Sequence, residues 1–208
     1  MTDPPTTLPI ATSSAMVNTA SSLTQFPQSF VLPGHYSWAG FQTLDSIIRQ
    51  DSKLHITYLD GVIKLIPLGE EHESISRVLG ILIALYLVKR NIEFTTVGSS
   101  TRSSEEKSVS FESDESYFLG EKKEHPDLAV AVKINNNSLD KLDKYKRLGI
   151  QEFWMWSKIN ITVYCLEDKS YSLKVGSQLL PKIDMKLLES CILMPSRLEA
   201  INHFLEGL

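Results

Sequence analysis

Apolar and polar positions alternate with two different periods along this chain, and each change of period marks an element. Phe41, Leu44, Ile47 and Ile48 fall on one side of a predicted helix over residues 38–49. Residues 54–59 and 62–68 read as strands flanking Asp60-Gly61, a dipeptide suited to the positive φ angles of a tight hairpin. Ile75, Val78, Leu79, Leu82, Ile83 and Tyr86 recur at helical spacing, which predicts a long helix over 70–90 with acids in its first turn. Strands are predicted over 92–97, 109–119 and 127–134, with a polar loop over 98–107 and a charged turn over 120–125. The stretch 127–134 is apolar throughout, as in a central strand. A helix over 139–148 closes at Gly149, and an aromatic strand follows over 152–156. Residues 161–166 and 171–175 form a second predicted hairpin around Glu167-Asp168-Lys169. A short helix near 185–190 and a last helix from Pro195, a residue suited to a first helical position, complete the pattern. Strands interleaved with helices imply an α/β domain, and no internal repeat is present.

The first 30 or so residues have no such pattern. They are rich in Ser, Thr and Pro, with Asp3 their one charged side chain, and read as a disordered tail before a domain that begins near Val31. The 208 residues suffice for one domain with a sizeable core, and 42% hydrophobic with 22% charged residues fits a soluble fold. The net charge of −4 gives no global nucleic-acid signature and leaves room only for a local basic patch. Cys165 and Cys191 lie far apart and read as buried free thiols of a reducing cytoplasm. The longest apolar run, 78–88, is too short to span a bilayer, and no secretory signal is expected.

The candidate chemistry lies in two neighbouring segments, Glu112-Ser113-Asp114-Glu115-Ser116-Tyr117 and Pro126-Asp127-Leu128-Ala129-Val130-Ala131-Val132-Lys133. Alternation puts Ala131 and Lys133 on one face of a strand. A carboxylate followed two residues later by a lysine suits metal-dependent phosphodiester cleavage, with acids holding Mg²⁺ and the lysine beside the attacking water. Here the lysine is present and alanine holds the acid's position. Asp114 is the leading metal-ligand candidate, against the alternative of a solvated strand-end acid. Lys133 has snorkelling at a strand end as its alternative, and Glu73 a favourable first-turn charge. His72 could contact Glu73 or a phosphate, or lie on the surface. Asp127, four residues before Ala131 and so about 13 Å away, reads as a structural turn or cap. Lys141, Lys144, Lys146 and Arg147, interleaved with Asp140 and Asp143, read as a solvated helix face. No phosphate-binding glycine loop, zinc helix motif or nucleophile elbow is present.

From about Tyr58 to its end the chain resembles the Uma-type restriction endonuclease family, abundant in cyanobacteria and part of the PD-(D/E)XK nuclease superfamily. The matching stretches are Tyr58-Leu59-Asp60-Gly61, Glu71-His72-Glu73, Gly98-Ser99-Ser100-Thr101, Asp114-Glu115-Ser116-Tyr117 and Pro126-Asp127-Leu128-Ala129-Val130. They continue with Asp140-Lys141-Leu142-Asp143-Lys144-Tyr145, Leu148-Gly149-Ile150 and Glu152-Phe153-Trp154-Met155-Trp156. The resemblance implies a restriction-endonuclease-like core, a mixed central β-sheet flanked by helices, with Mg²⁺ (or Mn²⁺) as cofactor and DNA as substrate. It assigns Asp114 as the first active-site acid, with Ser113 where proline is usual, and Glu73 as the helix acid. Ala131 stands where the family has glutamate. Lys133 would be the superfamily lysine, and Lys141 matches the helix lysine used by many members. Glu112 is the nearby acid that could substitute for the missing one.

The expected activity is that of a Mg²⁺-dependent DNA endonuclease weakened at Ala131, acting in the cytoplasm without a membrane partner and in a form that includes a homodimer. The competing readings are a degenerate nuclease fold that binds nucleic acid or protein, and an interaction module using an exposed strand edge over 161–166.

Overall fold

The computed structural model describes residues 29–51, 54–133 and 140–208, without the side chains of residues 51, 140 and 141, and it sorts the strands into two sheets. The tail reading lies outside the described residues as far as residue 28. In chain order the elements are β1 (Phe30–Val31), α1 (Trp38–Ile48), β2 (Leu54–Leu59), β3 (Val62–Pro67), α2 (Glu70–Lys89), β4 (Phe94–Thr96), β5 (Thr101–Ser104), β6 (Val109–Glu112) and β7 (Glu115–Leu119). They continue with β8 (Leu128–Lys133), α3 (Asp140–Arg147), β9 (Glu152–Ser157), β10 (Asn160–Glu167), β11 (Ser170–Lys174), α4 (Met185–Leu193) and α5 (Arg197–Glu206).

The smaller sheet runs β1-β3-β2-β6-β5 and the larger β11-β10-β9-β8-β7-β4. The larger sheet is mixed, because β8 and β9 are parallel while their other neighbours are antiparallel. The β8–α3–β9 crossover makes that parallel pair, as a strand–helix–strand unit requires. Its two faces bury different sets of side chains. Leu128, Val130 and Val132 pack with Leu79, Leu82, Ile83 and Tyr86 of α2. Ala129 and Ala131 pack with Val109 and Phe111 of β6, Tyr145 of α3 and Phe153 of β9. Phe41 of α1 covers Ile56, Tyr58 and Ile63 of the smaller sheet.

Most predicted elements stand where the pattern put them, including both hairpins. Asp60 and Gly61 take φ of 46° and 80°, as the dipeptide requires. Four expectations need correction. The span 109–119 is two strands: β6 pairs in the smaller sheet and β7 in the larger, with Ser113 and Asp114 at the break. The polar loop over 98–107 contains β5, whose alternate residues find backbone partners in β6 and need no apolar signal. Residues 161–166 form no edge, since β10 lies between β9 and β11; the edge strand is β11. Pro195 lies before α5, which is capped by Ser196 accepting a hydrogen bond from the Glu199 amide.

Asp127 is structural, as expected. Its Oδ2 accepts from the Leu119 amide at 2.9 Å and its Oδ1 from Lys123 Nζ at 2.5 Å, closing the turn between β7 and β8. Both cysteines are buried and free. Among the described residues no helix is long and apolar enough to cross a membrane.

Candidate active site

The break between β6 and β7 fixes Asp114. Its amide donates to Val130 O at 3.0 Å, which continues the β7–β8 ladder by one residue. Its Oδ2 accepts from the Val132 amide at 2.6 Å, so the carboxylate is pinned along β8. Its Oδ1 lies 3.2 Å from His72 Nε2, and its carbonyl accepts from Ser76 Oγ at 3.5 Å. The N-terminal turn of α2 is thereby docked on the strand break.

His72 is buried, contrary to the surface alternative, and lies between two acids. Its Nδ1 is 3.4 Å from Glu73 Oε1 but makes no hydrogen bond. Burial pulls the imidazole down, but the hydrogen bond and charge of Asp114, helped by Glu73, outweigh it and raise His72 above its usual value. The Glu73 side chain is 45% exposed, so it borders the site from the solvent side.

Ala131 is 2% exposed and belongs to the apolar cluster with Val109, Phe111, Tyr145 and Phe153. The position at which the resemblance implies a glutamate is therefore packed as core. Asp114 is near enough to add to the effect of burial in raising the Tyr145 hydroxyl well above its normal range. Lys133, at the end of β8 opposite Ser157, is half-buried and makes no hydrogen bond or ion pair among the described residues. The Lys141 side chain lies outside the described residues.

Two neighbours change the sequence-based picture. Glu112 is committed elsewhere: Arg49 Nη1 is 2.7 Å from it, His55 Nε2 3.1 Å, and Thr101 donates at 3.1 Å. It belongs to the smaller sheet and does not replace the missing acid. Lys144 is not part of a solvated face; it is buried, and its Nζ donates to Thr57 Oγ1 at 2.6 Å, tying α3 to β2. A charged helix stripe gave no signal for that inward turn.

Glu115, next to Asp114, points to the opposite face, against Gly80 of α2. A Cβ at Gly80 would stand 2.8 Å from the Glu115 carboxylate, so glycine allows the acid beneath the helix. Burial pushes the Glu115 carboxyl up to about 7, with Asp114 and Glu73 adding to the rise and Arg77 opposing it. The folded state then holds a proton that the unfolded chain releases near pH 4.5. Stability should fall as pH rises between those values, by about 3 kcal/mol in all. Glu115→Gln is expected to remove this dependence, being more stable than the native chain at pH 8 and not at pH 4. Urea unfolding at both pH values checks it, and an unchanged difference would contradict the assignment.

The restriction-endonuclease-like resemblance implies a divalent ion among these donors. Asp114 uses one oxygen on a backbone amide and the other on His72, and alanine stands where the resemblance implies a second acid. Among the described residues no group of three or more His, Cys, Asp or Glu side chains converges to hold a metal. The residues as arranged do not fit a resident Mg²⁺ centre.

No curated protein matches the chain. Among solved structures it is similar to "a putative nuclease belonging to DUF820" from Anabaena variabilis ATCC 29413, with 15% identity and a TM-score of 0.43 over 72% of this chain and 90% of that one. The model of the Uma2 family, described as "Putative restriction endonuclease", matches residues 38–191. That span takes in every strand but β1, α2 with His72 and Glu73, the Asp114 break and the Ala131 strand, and the chain belongs to the Uma2 family.

Proposed function

We propose that this chain engages DNA on the Asp114 side of the larger sheet as a restriction-endonuclease-type protein whose phosphodiester hydrolysis is attenuated at Ala131. The observation that carries the reading is the burial of Ala131 in apolar packing beside an Asp114 already held by His72 and the Val132 amide. Family membership supports DNA as the substrate class. Asp114 holds the imidazole of His72 with Glu73 3.4 Å away on its solvent side, Lys133 offers a cation at the end of β8, and Lys141 is a second candidate cation from α3. These groups can bind and orient a phosphodiester. Glu115, the buried acid next to Asp114, points to the opposite face against Gly80, so among the described residues it does not complete the hydrolytic set.

A second reading is a working Mg²⁺- or Mn²⁺-dependent endonuclease. It is favoured by the family match, and it requires Asp114 and Glu73 to turn from His72 to an ion that arrives with the substrate phosphate, since Mg²⁺ often takes only one or two protein carboxylates.

Two measurements on the full chain separate these readings. Titration calorimetry with MnCl₂ should show no binding below millimolar concentration, and fluorescence anisotropy should show salt-sensitive binding to duplex DNA. Tight Mn²⁺ binding lost in Asp114→Ala would favour the second reading, and absence of DNA binding would overturn both.

A further inference from the structure

We infer that two copies of this chain pair through the outer face of α2 and the adjoining flank of α5, with their α2 helices antiparallel across a two-fold axis at Ile81. The inference is independent of the DNA reading. One face of α2 packs on the larger sheet through Leu79, Leu82, Ile83 and Tyr86. On a solvated helix the opposite face is polar. Here it carries Ile81, 45% exposed, and Val88, 67% exposed. They stand seven residues apart, on one line of the helix, with Leu85 half-buried between them. Helix α5 extends this surface. Arg197 Nη2 donates to Ser74 Oγ at 3.0 Å, so the start of α5 lies beside α2. A Cβ at Gly207 would collide with Leu187, so the other flank of α5 lies against α4. Leu198, 70% exposed, and the exposed Leu205 follow one another at the same seven-residue spacing on the α2 side of α5.

A run of exposed apolar side chains rimmed by charge marks a contact surface, and the order of the charges identifies the occupant. Glu70 and Glu71 are exposed at the start of α2, Lys89 and Arg90 at its end. Glu70, Glu71 and Lys89 form no ion pair among the described residues. The acids would repel a nucleic acid or an anionic lipid surface. A second copy satisfies both ends at once, because a two-fold axis presents the patch to itself with its ends exchanged. In antiparallel pairing centred on Ile81, Ser74 of one copy meets Val88 of the other, since both lie seven residues from the centre. Glu70 and Glu71 then lie beside Lys89 and Arg90 of the second copy, and the helix dipoles oppose. Leu198, next to the arginine that reaches Ser74, covers Val88 of the second copy. Helix α2 has 20 residues, and with α5 packed beside it the face measures about 30 Å by 20 Å. That is roughly 600 Å² per copy and roughly 1,200 Å² in all, the lower end for a stable interface. The dissociation constant is therefore expected on the order of 10 µM.

The test is sedimentation velocity of the full chain from about 1 to about 200 µM, a range that spans that constant. The native chain should pass from monomer to dimer. Ile81→Lys and Val88→Lys, both at exposed positions, should each weaken the dimer by about tenfold or more. Charge exchange is the sharper arm, and it keeps the pairing testable if a lysine variant does not fold by circular dichroism. Glu70→Lys with Glu71→Lys makes both ends of α2 basic, and Lys89→Glu with Arg90→Glu makes both ends acidic. Each double variant should be monomeric alone, and the two mixed should form a heterodimer. A native chain that stays monomeric throughout would overturn the pairing and leave the face to a different protein. A native dimer that persists in both lysine variants would place the contact elsewhere, at the β11 edge for example, and overturn it as well. Dimers in each double variant alone, with no gain on mixing, would overturn the antiparallel register at Ile81.

Discussion

Ala131→Glu is expected to convert this chain into a faster nuclease at the expense of its stability. The Ala131 side chain packs with Val109, Phe111 and Tyr145, and Tyr145 feels the charge of Asp114, so a glutamate there enters an apolar cluster near an existing carboxylate. Overpacking costs about 1–3 kcal/mol, and an uncompensated buried charge about 3–5 kcal/mol. Partial rotation of the longer side chain toward the β8 end would relieve some of this, leaving a net loss of roughly 3 kcal/mol. For a chain of this size that is a melting temperature lower by about 6–12 °C. A divalent cation between Asp114 and the new acid would neutralise both, so Mn²⁺ should restore several degrees in Ala131→Glu and almost none in the native chain. Cleavage should rise on the order of 10²-fold, the usual effect of one positioned group at a reacting phosphate. Differential scanning fluorimetry with and without Mn²⁺ reads the stability half of this expectation. A variant with native melting behaviour and no metal response would mean that position 131 does not face Asp114.

Glu152→Ala is expected to be the most damaging single change in the fold. Glu152 is 1% exposed at the start of β9, yet its carboxylate is fully used. Oε2 accepts from the Gln178 and Leu179 amides at 2.8 and 3.0 Å and from Cys165 Sγ at 3.4 Å, and Oε1 accepts from Trp154 Nε1 at 2.5 Å. It ties the segment after β11 to the centre of the larger sheet. Alanine would leave two backbone N–H groups and an indole N–H without partners in a closed space. The cost should be about 4 kcal/mol, or roughly 8–16 °C in melting temperature. Glu152→Gln should cost less, because one amide oxygen can still accept. Urea denaturation of both variants checks the order. Equal losses, or a loss below about 1 kcal/mol in Glu152→Ala, would show that these donors find other partners.

Much of this fold was legible from periodicity. Helix α2 and the two hairpins were readable because their apolar spacing and turn residues agree, at Asp60-Gly61 for example. The division into two sheets was not. Residues 109–119 alternate well enough to read as one strand, and only the partners of Val109 and Glu115 show that the chain changes sheet at Ser113. The strand β5, Thr-Arg-Ser-Ser, carries no apolar signal because its ladder rests on backbone hydrogen bonds. At the site, the candidates Asp114, Glu73 and His72 meet; the helix start that carries His72 and Glu73 was visible in sequence, and the strand break that fixes Asp114 was not. The commitments of Glu112 to Arg49 and of Lys144 to Thr57 were not readable, because each partner lies far away in the chain. The depth of Ala131 in the β6–α3 packing likewise needed the tertiary structure.

The proposed attenuation of hydrolysis at Ala131 leaves a scaffold that still presents Asp114. Nicking of supercoiled plasmid in Mg²⁺ or Mn²⁺ tests that attenuation most directly, with the native chain beside Asp114→Ala and Ala131→Glu, all confirmed folded. Little or no nicking by the native chain is expected, with clear nicking by Ala131→Glu and loss of that activity when Asp114→Ala is added to it. Rapid native cleavage that disappears in Asp114→Ala, with no gain in Ala131→Glu, would contradict it and show a complete active site without the second acid.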